Sequence, residues 1–206
     1  MIVKVCGMRE ADNIRDVDEN DGVSWIGFIF FNGSSRYVDS RPDFLPVKSK
    51  RVGVFVNETY SNIVKKVKEY CLDFVQLHGD ETPAYCSELR ESLPSDTCLI
   101  KTIHIENEDD IKVTVGYESI VDYFLFETKS SLYGGSGMKF NWSVLNKYIG
   151  KTPFLLTGGI GPEDSESVRG FRHPLFYGVD LNSRFETKPA LKNVELIKEF
   201  VKKVMI

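Results

Sequence analysis

Strand-like runs and amphipathic helical runs alternate along the chain, and that order constrains its fold more than any single motif. Ile2–Cys6 precedes a helical stretch from about Glu10 to Glu19. Ser24–Phe31, rich in β-branched and aromatic residues, precedes a polar loop and a weak helix near Pro42–Val47. Arg51–Val56 precedes Tyr60–Tyr70, where Ile63, Val64, Val67 and Tyr70 form one apolar stripe. Leu72–Leu77 leads into Thr82–Ser92, with Pro83 well placed at a first helical turn. Thr97–Ile103 precedes Asn107–Val115, and Ile120–Phe126 precedes a glycine-rich loop and then Trp142–Tyr148. Thr152–Leu156 leads into Pro162–Gly170, and Leu175–Val179 is followed by Asn193–Val204. Strict alternation specifies a parallel sheet with helical crossovers. Eight such units close into a barrel more naturally than they build an open sheet. The expected fold is therefore α/β, a single-domain (β/α)8 TIM barrel over residues 1–206. A doubly wound sheet of Rossmann or flavodoxin type is the competitor, but no Gly-x-Gly-x-x-Gly follows the first strand.

Composition excludes several function classes. The 206 residues, 42% of them hydrophobic, suffice for one substantial core. A formal charge of −4 argues against a general nucleic-acid surface. No apolar run approaches the roughly 18 residues that cross a bilayer, and Met1-Ile2-Val3-Lys4-Val5 has no secretory pattern. Cys6, Cys71, Cys86 and Cys98 lack Cys-x-x-Cys spacing, so reduced thiols in a cytoplasmic protein are expected. His78, His104 and His173 form no i, i+3 or i, i+4 pair, and no Walker, kinase or Gly-x-Ser-x-Gly signature occurs. The expectation is an enzyme without metal or cofactor, acting on a small molecule, with neither nucleic-acid nor membrane partners.

Two glycine-bearing stretches follow the last two strands: Leu155-Leu156-Thr157-Gly158-Gly159-Ile160-Gly161 and Gly178-Val179-Asp180-Leu181-Asn182-Ser183. Backbone N–H groups at such turns converge on phosphate, and glycine permits close approach. In an eight-stranded barrel the loops after strands seven and eight are the habitual place for it. A phosphorylated ligand is expected, held by backbone donors since bulk charge gives no support.

Strand periodicity turns the topology into candidate residues, because successive side chains face opposite sides. Lys4 then points into the barrel with Cys6 above it at the C-terminal rim. Phe74, Gln76 and His78 share a face on strand four; Tyr123, Leu125 and Glu127 do so on strand six, and Phe176, Gly178 and Asp180 on strand eight. Cys6 reads either as a small core hydrophobe or, with the Lys4 ammonium below it, as a thiolate shifted toward neutrality that acts as base or nucleophile. Glu127 reads either as a loop cap paired with a cation such as Lys129, or as a desolvated acid able to donate a proton. Arg36, after a polar loop, is either solvated or holds a substrate carboxylate at the mouth. Tyr133-Gly134-Gly135-Ser136-Gly137 suits a mobile lid, a close backbone approach or an inert linker.

Seven motifs in order make the chain resemble the phosphoribosylanthranilate isomerase family. They are Lys4-Val5-Cys6-Gly7-Met8, Gly27-Phe28-Ile29-Phe30 with Ser35-Arg36-Tyr37-Val38, Gly53-Val54-Phe55-Val56-Asn57 and Val75-Gln76-Leu77-His78-Gly79-Asp80-Glu81. Tyr133 to Gly137, Leu156 to Ile160 and Gly178 to Glu186 complete the set. The resemblance covers almost the whole chain. It implies an Amadori rearrangement of N-(5-phosphoribosyl)anthranilate in tryptophan biosynthesis, catalysed by general acid and base. It also implies Cys6 as base, Glu127 as acid and Arg36 beside the anthranilate. Gly158, Gly159, Ile160, Asn182 and Ser183 would take the phosphate, and Asp180 would lie near the ribose. The chain would act as a monomer or homodimer. One departure stands out: the family's acid is an aspartate where this chain has Glu127. Alternatives are a related sugar-phosphate isomerase or epimerase on the same barrel, or a non-catalytic phosphosugar-binding relative.

Overall fold

The structure, a computed structural model, describes residues 1–128 and 142–205. Strands β1 (Ile2–Val5), β2 (Trp25–Ile29), β3 (Lys50–Phe55), β4 (Phe74–Leu77), β5 (Cys98–Ile105), β6 (Tyr123–Thr128), β7 (Phe154–Thr157) and β8 (Phe176–Leu181) form a closed parallel barrel in chain order. Closure comes from β8 pairing with β1, with Ile2 opposite Gly178 and Val5 opposite Leu181. A Cβ on Gly178 would lie 1.9 Å from the Ile2 carbonyl oxygen. This glycine therefore serves strand contact at the closing seam, not the phosphate turn that the sequence suggested for its stretch.

The period of two separates two apolar compartments. Outward residues such as Val3, Val5, Ile26, Phe28, Val75, Leu77, Leu99, Phe124 and Phe126 are buried against the surrounding segments. Inward residues Trp25, Val52, Phe74, Ile100, Leu125 and Leu155 form a separate cluster inside the barrel. Trp25 and Phe74 pack with ring centroids 4.2 Å apart, and Tyr123 meets Trp25 edge-on at 5.3 Å. That plug fills the lower barrel, as the side-chain layers of this fold do. One step up, the same face turns polar on six of the eight strands, with Lys4, Gln76, Thr102, Glu127, Thr157 and Asp180, so the upper end is left to chemistry.

The outer helices are α1 (Ala11–Asp18), α2 (Tyr60–Tyr70), α3 (Pro83–Ser92), α4 (Ser165–Gly170) and α5 (Val194–Val204). Ile63, Val67 and Tyr70 bury the α2 stripe, and the Thr82 hydroxyl caps α3 by accepting the Tyr85 N–H at 3.2 Å. No helix forms near residues 42–47. The Asp18 carboxylate instead accepts the backbone N–H groups of Val47 (2.7 Å), Lys48 (3.1 Å) and Ser49 (2.7 Å), pinning an irregular segment just before β3.

Two other expected helices are tighter 3₁₀ segments, Glu108–Gly116 and Trp142–Lys147. Val113, Thr114 and Val115 lie side by side in the first, and such β-branched runs fit an α-helix poorly. A short hairpin, β9 (Glu186–Lys188) with β10 (Leu191–Lys192), follows β8 and was not foreseen. Lys129 and residues 133–137 lie outside the described residues. No helix among the described residues is long and apolar enough to cross a membrane.

Candidate active site at the barrel mouth

A cavity of about 250 Å³ opens at the C-terminal ends of the strands. Cys6, Arg36, Glu127, Gly158, Gly159, Ile160, Asp180, Asn182 and Ser183 all border it. Gln76, His78 and Thr157 add polar wall, and Ile29, Phe31, Val54 and Val56 supply an apolar side. The barrel thus brings together residues up to 177 positions apart in the chain, the separation of Cys6 and Ser183.

Cys6 directly follows β1 and is buried. Below it the Lys4 ammonium donates to Asp180 Oδ2 at 2.8 Å, both side chains being almost fully enclosed. Burial works against the Lys4 charge, but the charges of Asp180 and Cys6 and the hydrogen bonds to them together outweigh it and raise the lysine's pKa. The other carboxylate oxygen, Asp180 Oδ1, is buried without a hydrogen-bond partner among the described residues. A buried acceptor of this kind asks for a donor. Burial also pushes the Cys6 thiol up; Lys4 and Lys192 pull it back only in part. This corrects the expected thiolate near neutrality: desolvation outweighs the neighbouring ammonium.

Glu127 ends the inward row of β6, and strand register sets His104 of β5 directly beside it. His104 Nδ1 lies 2.7 Å from Glu127 Oε2, and His78 Nε2 approaches the same oxygen at 3.5 Å. The other nitrogen of His78, Nδ1, lies 3.1 Å from Thr102 Oγ1 and 3.2 Å from Gln76 Nε2. Burial lowers the His78 pKa despite the opposing charge of Glu127. His104 escaped the sequence reading because it is adjacent to Glu127 across a strand pair, not along the chain.

Arg36 is neither solvated nor loose. Its Nε donates to Glu186 Oε1 at 2.8 Å and its Nη2 to Oε2 at 2.6 Å, a two-pronged bond to the start of β9. Glu186 also accepts from Lys192, whose Nζ donates to Asn182 Oδ1 at 2.7 Å. The hairpin therefore ties the arginine at one side of the mouth to the turn after β8. Glu186 and Lys192 carried no signal beyond their place in or near a motif. Gly158 and Gly159 have φ of 95° and 68°, a left-handed turn that favours glycine, immediately after β7. Opposite, Ser183–Phe185 forms a short 3₁₀ turn after β8.

The family profile described as N-(5'phosphoribosyl)anthranilate (PRA) isomerase matches residues 3–203. The chain belongs to this isomerase family. Among its relatives, the N-(5'-phosphoribosyl)anthranilate isomerase of Parabacteroides distasonis is 47% identical, over 100% of this chain and 94% of its own length. The isomerase of the same name from Phocaeicola vulgatus is 49% identical, over 98% and 96%. A phosphoribosyl anthranilate isomerase crystal structure superposes with a TM-score of 0.79 at 28% identity, covering 100% of this chain and 99% of that one. That protein was crystallised with reduced 1-(o-carboxyphenylamino)-1-deoxyribulose 5-phosphate.

Proposed function

We propose that this chain catalyses the Amadori rearrangement of N-(5-phosphoribosyl)anthranilate to 1-(2-carboxyphenylamino)-1-deoxyribulose 5-phosphate, a cytoplasmic step of tryptophan biosynthesis. One observation carries the reading: a thiol from the end of β1 and a carboxylic acid from β6 border the same cavity as the paired-glycine turn after β7. A phosphate seated between residues 158–160 and 182–183 puts the sugar between Cys6 and Glu127. The buried, unpartnered Asp180 Oδ1 suits a ribose hydroxyl, which would donate to it. Arg36, held in place by Glu186, offers its remaining N–H groups to the anthranilate carboxylate.

In this scheme Glu127 gives its proton to the ribose ring oxygen. The C1–O bond breaks as the nitrogen lone pair forms a protonated Schiff base. The Cys6 thiolate then takes the C2 proton, leaving an enolamine. Protonation at C1 and loss of the enol proton give the amino-ketone, so no atom is gained or lost. General acid and base of this kind contribute about 10²–10⁴-fold each. The His104 contact draws the longer carboxylate back to a fixed position, which answers the extra methylene of glutamate.

The test is an assay in chelator-containing buffer that follows loss of substrate fluorescence. Wild type should turn over, and Cys6→Ala should fall by about 10²–10⁴-fold in kcat. Full activity in Cys6→Ala would remove the cysteine from the mechanism, and an inert wild type would reduce the chain to a ligand-binding relative.

A further inference from the structure

His78, His104 and Glu127 come from the ends of three consecutive strands, β4, β5 and β6. Each offers one ligand atom, and the three atoms lie within 4.8 Å of one another. Tetrahedral zinc with bonds of about 2.0–2.1 Å needs ligand atoms about 3.4 Å apart. The 2.7 Å and 3.5 Å separations from Glu127 Oε2 bracket that value. The two imidazole rings stand edge to face, centroids 5.6 Å apart, so their nitrogens converge without the rings colliding. All three side chains are partly exposed, and small χ rotations adjust them. The donor set, two imidazoles and one carboxylate, is that of zinc sites that keep a position open for another ligand.

A second observation points the same way. A metal-bound histidine usually donates its other N–H to a fixed acceptor. Gln76, buried beneath His78, has its Oε1 without a hydrogen-bond partner among the described residues while its Nε2 faces His78 Nδ1. A half-turn of this amide brings Oε1 to accept the Nδ1–H of His78, the tautomer that leaves His78 Nε2 free to hold an ion.

We propose that His78, His104 and Glu127 form a binding site for a divalent transition-metal ion of zinc type, and that the bound ion inhibits the isomerase by occupying the Glu127 carboxylate. The inhibitory half rests on the reading of Glu127 as the acid; the binding half stands on geometry alone. The spacing search along the chain could not find this site, since 26 residues separate His78 from His104 and 23 separate His104 from Glu127.

Chelator-treated protein is titrated with Co²⁺, followed by visible absorption, and with Zn²⁺ by calorimetry. A Cys71→Ser background removes the exposed thiol as a competing ligand. One Co²⁺ per chain should bind with the absorption of a low-coordinate site and be displaced by Zn²⁺. His78→Ala and His104→Ala should each weaken Zn²⁺ binding at least tenfold. His104→Gln, which keeps size and polarity, should behave as His104→Ala does and guards against a folding effect. Absence of saturable binding, or equal affinity in parent and variants, would overturn the site. In the parent, Zn²⁺ should abolish turnover reversibly, and His104→Ala should need at least tenfold more Zn²⁺ for half inhibition. Zn²⁺ held by these ligands with turnover unaffected would leave the site standing, and would refute both the inhibition and the role of Glu127 as acid.

Discussion

Cys6 sits where burial and charge oppose each other, and burial prevails. A thiol whose pKa is raised is mostly protonated at neutrality, so the reactive thiolate grows in as pH rises. The expected kcat/KM therefore climbs from neutrality toward and beyond the ordinary thiol value of about 8.5. A steady-state profile that is flat or falling over that range would argue against Cys6 as the base. The thiol's position is equally constrained. A Cβ on Gly27, in the neighbouring strand, would lie 2.9 Å from Cys6 Sγ and 3.2 Å from its Cα. Gly27→Ala should displace the sulfur and lower kcat by about 100-fold, with circular dichroism unchanged. Of the residues around the mouth, those that strand parity aims inward were legible in the sequence. His104 shares the inward parity of Ile100 and Thr102 but lies one residue past the expected end of its strand, and Glu186 and Lys192 take their meaning from partners that no local pattern names.

The loop before β3 shows how one side chain substitutes for an element. Asp18, at the end of α1, accepts three backbone N–H groups from residues 47 to 49. Asp18→Ala should cost about 1–3 kcal/mol in urea unfolding, since it strands the buried Ser49 N–H and two half-buried donors, and should leave the catalytic rate nearly unchanged. Burial pushes the Asp18 carboxyl up, but its backbone hydrogen bonds outweigh this and hold it below the usual carboxylate range. Its stabilising contribution is therefore complete above the unfolded pKa of about 3.9 and is lost as pH falls through the lower folded value. The penalty of Asp18→Ala should shrink in acid over that window; a penalty independent of pH would place the effect elsewhere. Helical periodicity foretold α1, α2, α3 and α5 well. It overreached at residues 42–47, where Pro46 offers no N–H and the Asp18 carboxylate takes that of Val47.

At the scale of the molecule, the barrel depends on its last strand meeting its first. Gly178 lets the β8 backbone lie against Ile2, where a methyl group would overlap the carbonyl. Gly178→Ala should destabilise the chain by about 1–3 kcal/mol, read as a lower denaturant midpoint. No shift in midpoint would mean that the seam relaxes freely. Closure also makes the site: with the lower barrel filled by Trp25, Phe74, Ile100 and their neighbours, the polar inward residues can meet only at the top.

Alternation of strand and helix, and the inward parity of each strand, are local properties of the chain. They were readable because period 2 and period 3.6 impose themselves on any few consecutive residues. Which strand lies beside which, and at what register, is a long-range property with no local signature. Only the tertiary structure set His104 beside Glu127 across β5 and β6, Lys4 against Asp180 at the closing seam and Arg36 against Glu186, the last pair 150 residues apart. The titration of Cys6 belongs to the same class, because desolvation depends on everything packed around the sulfur.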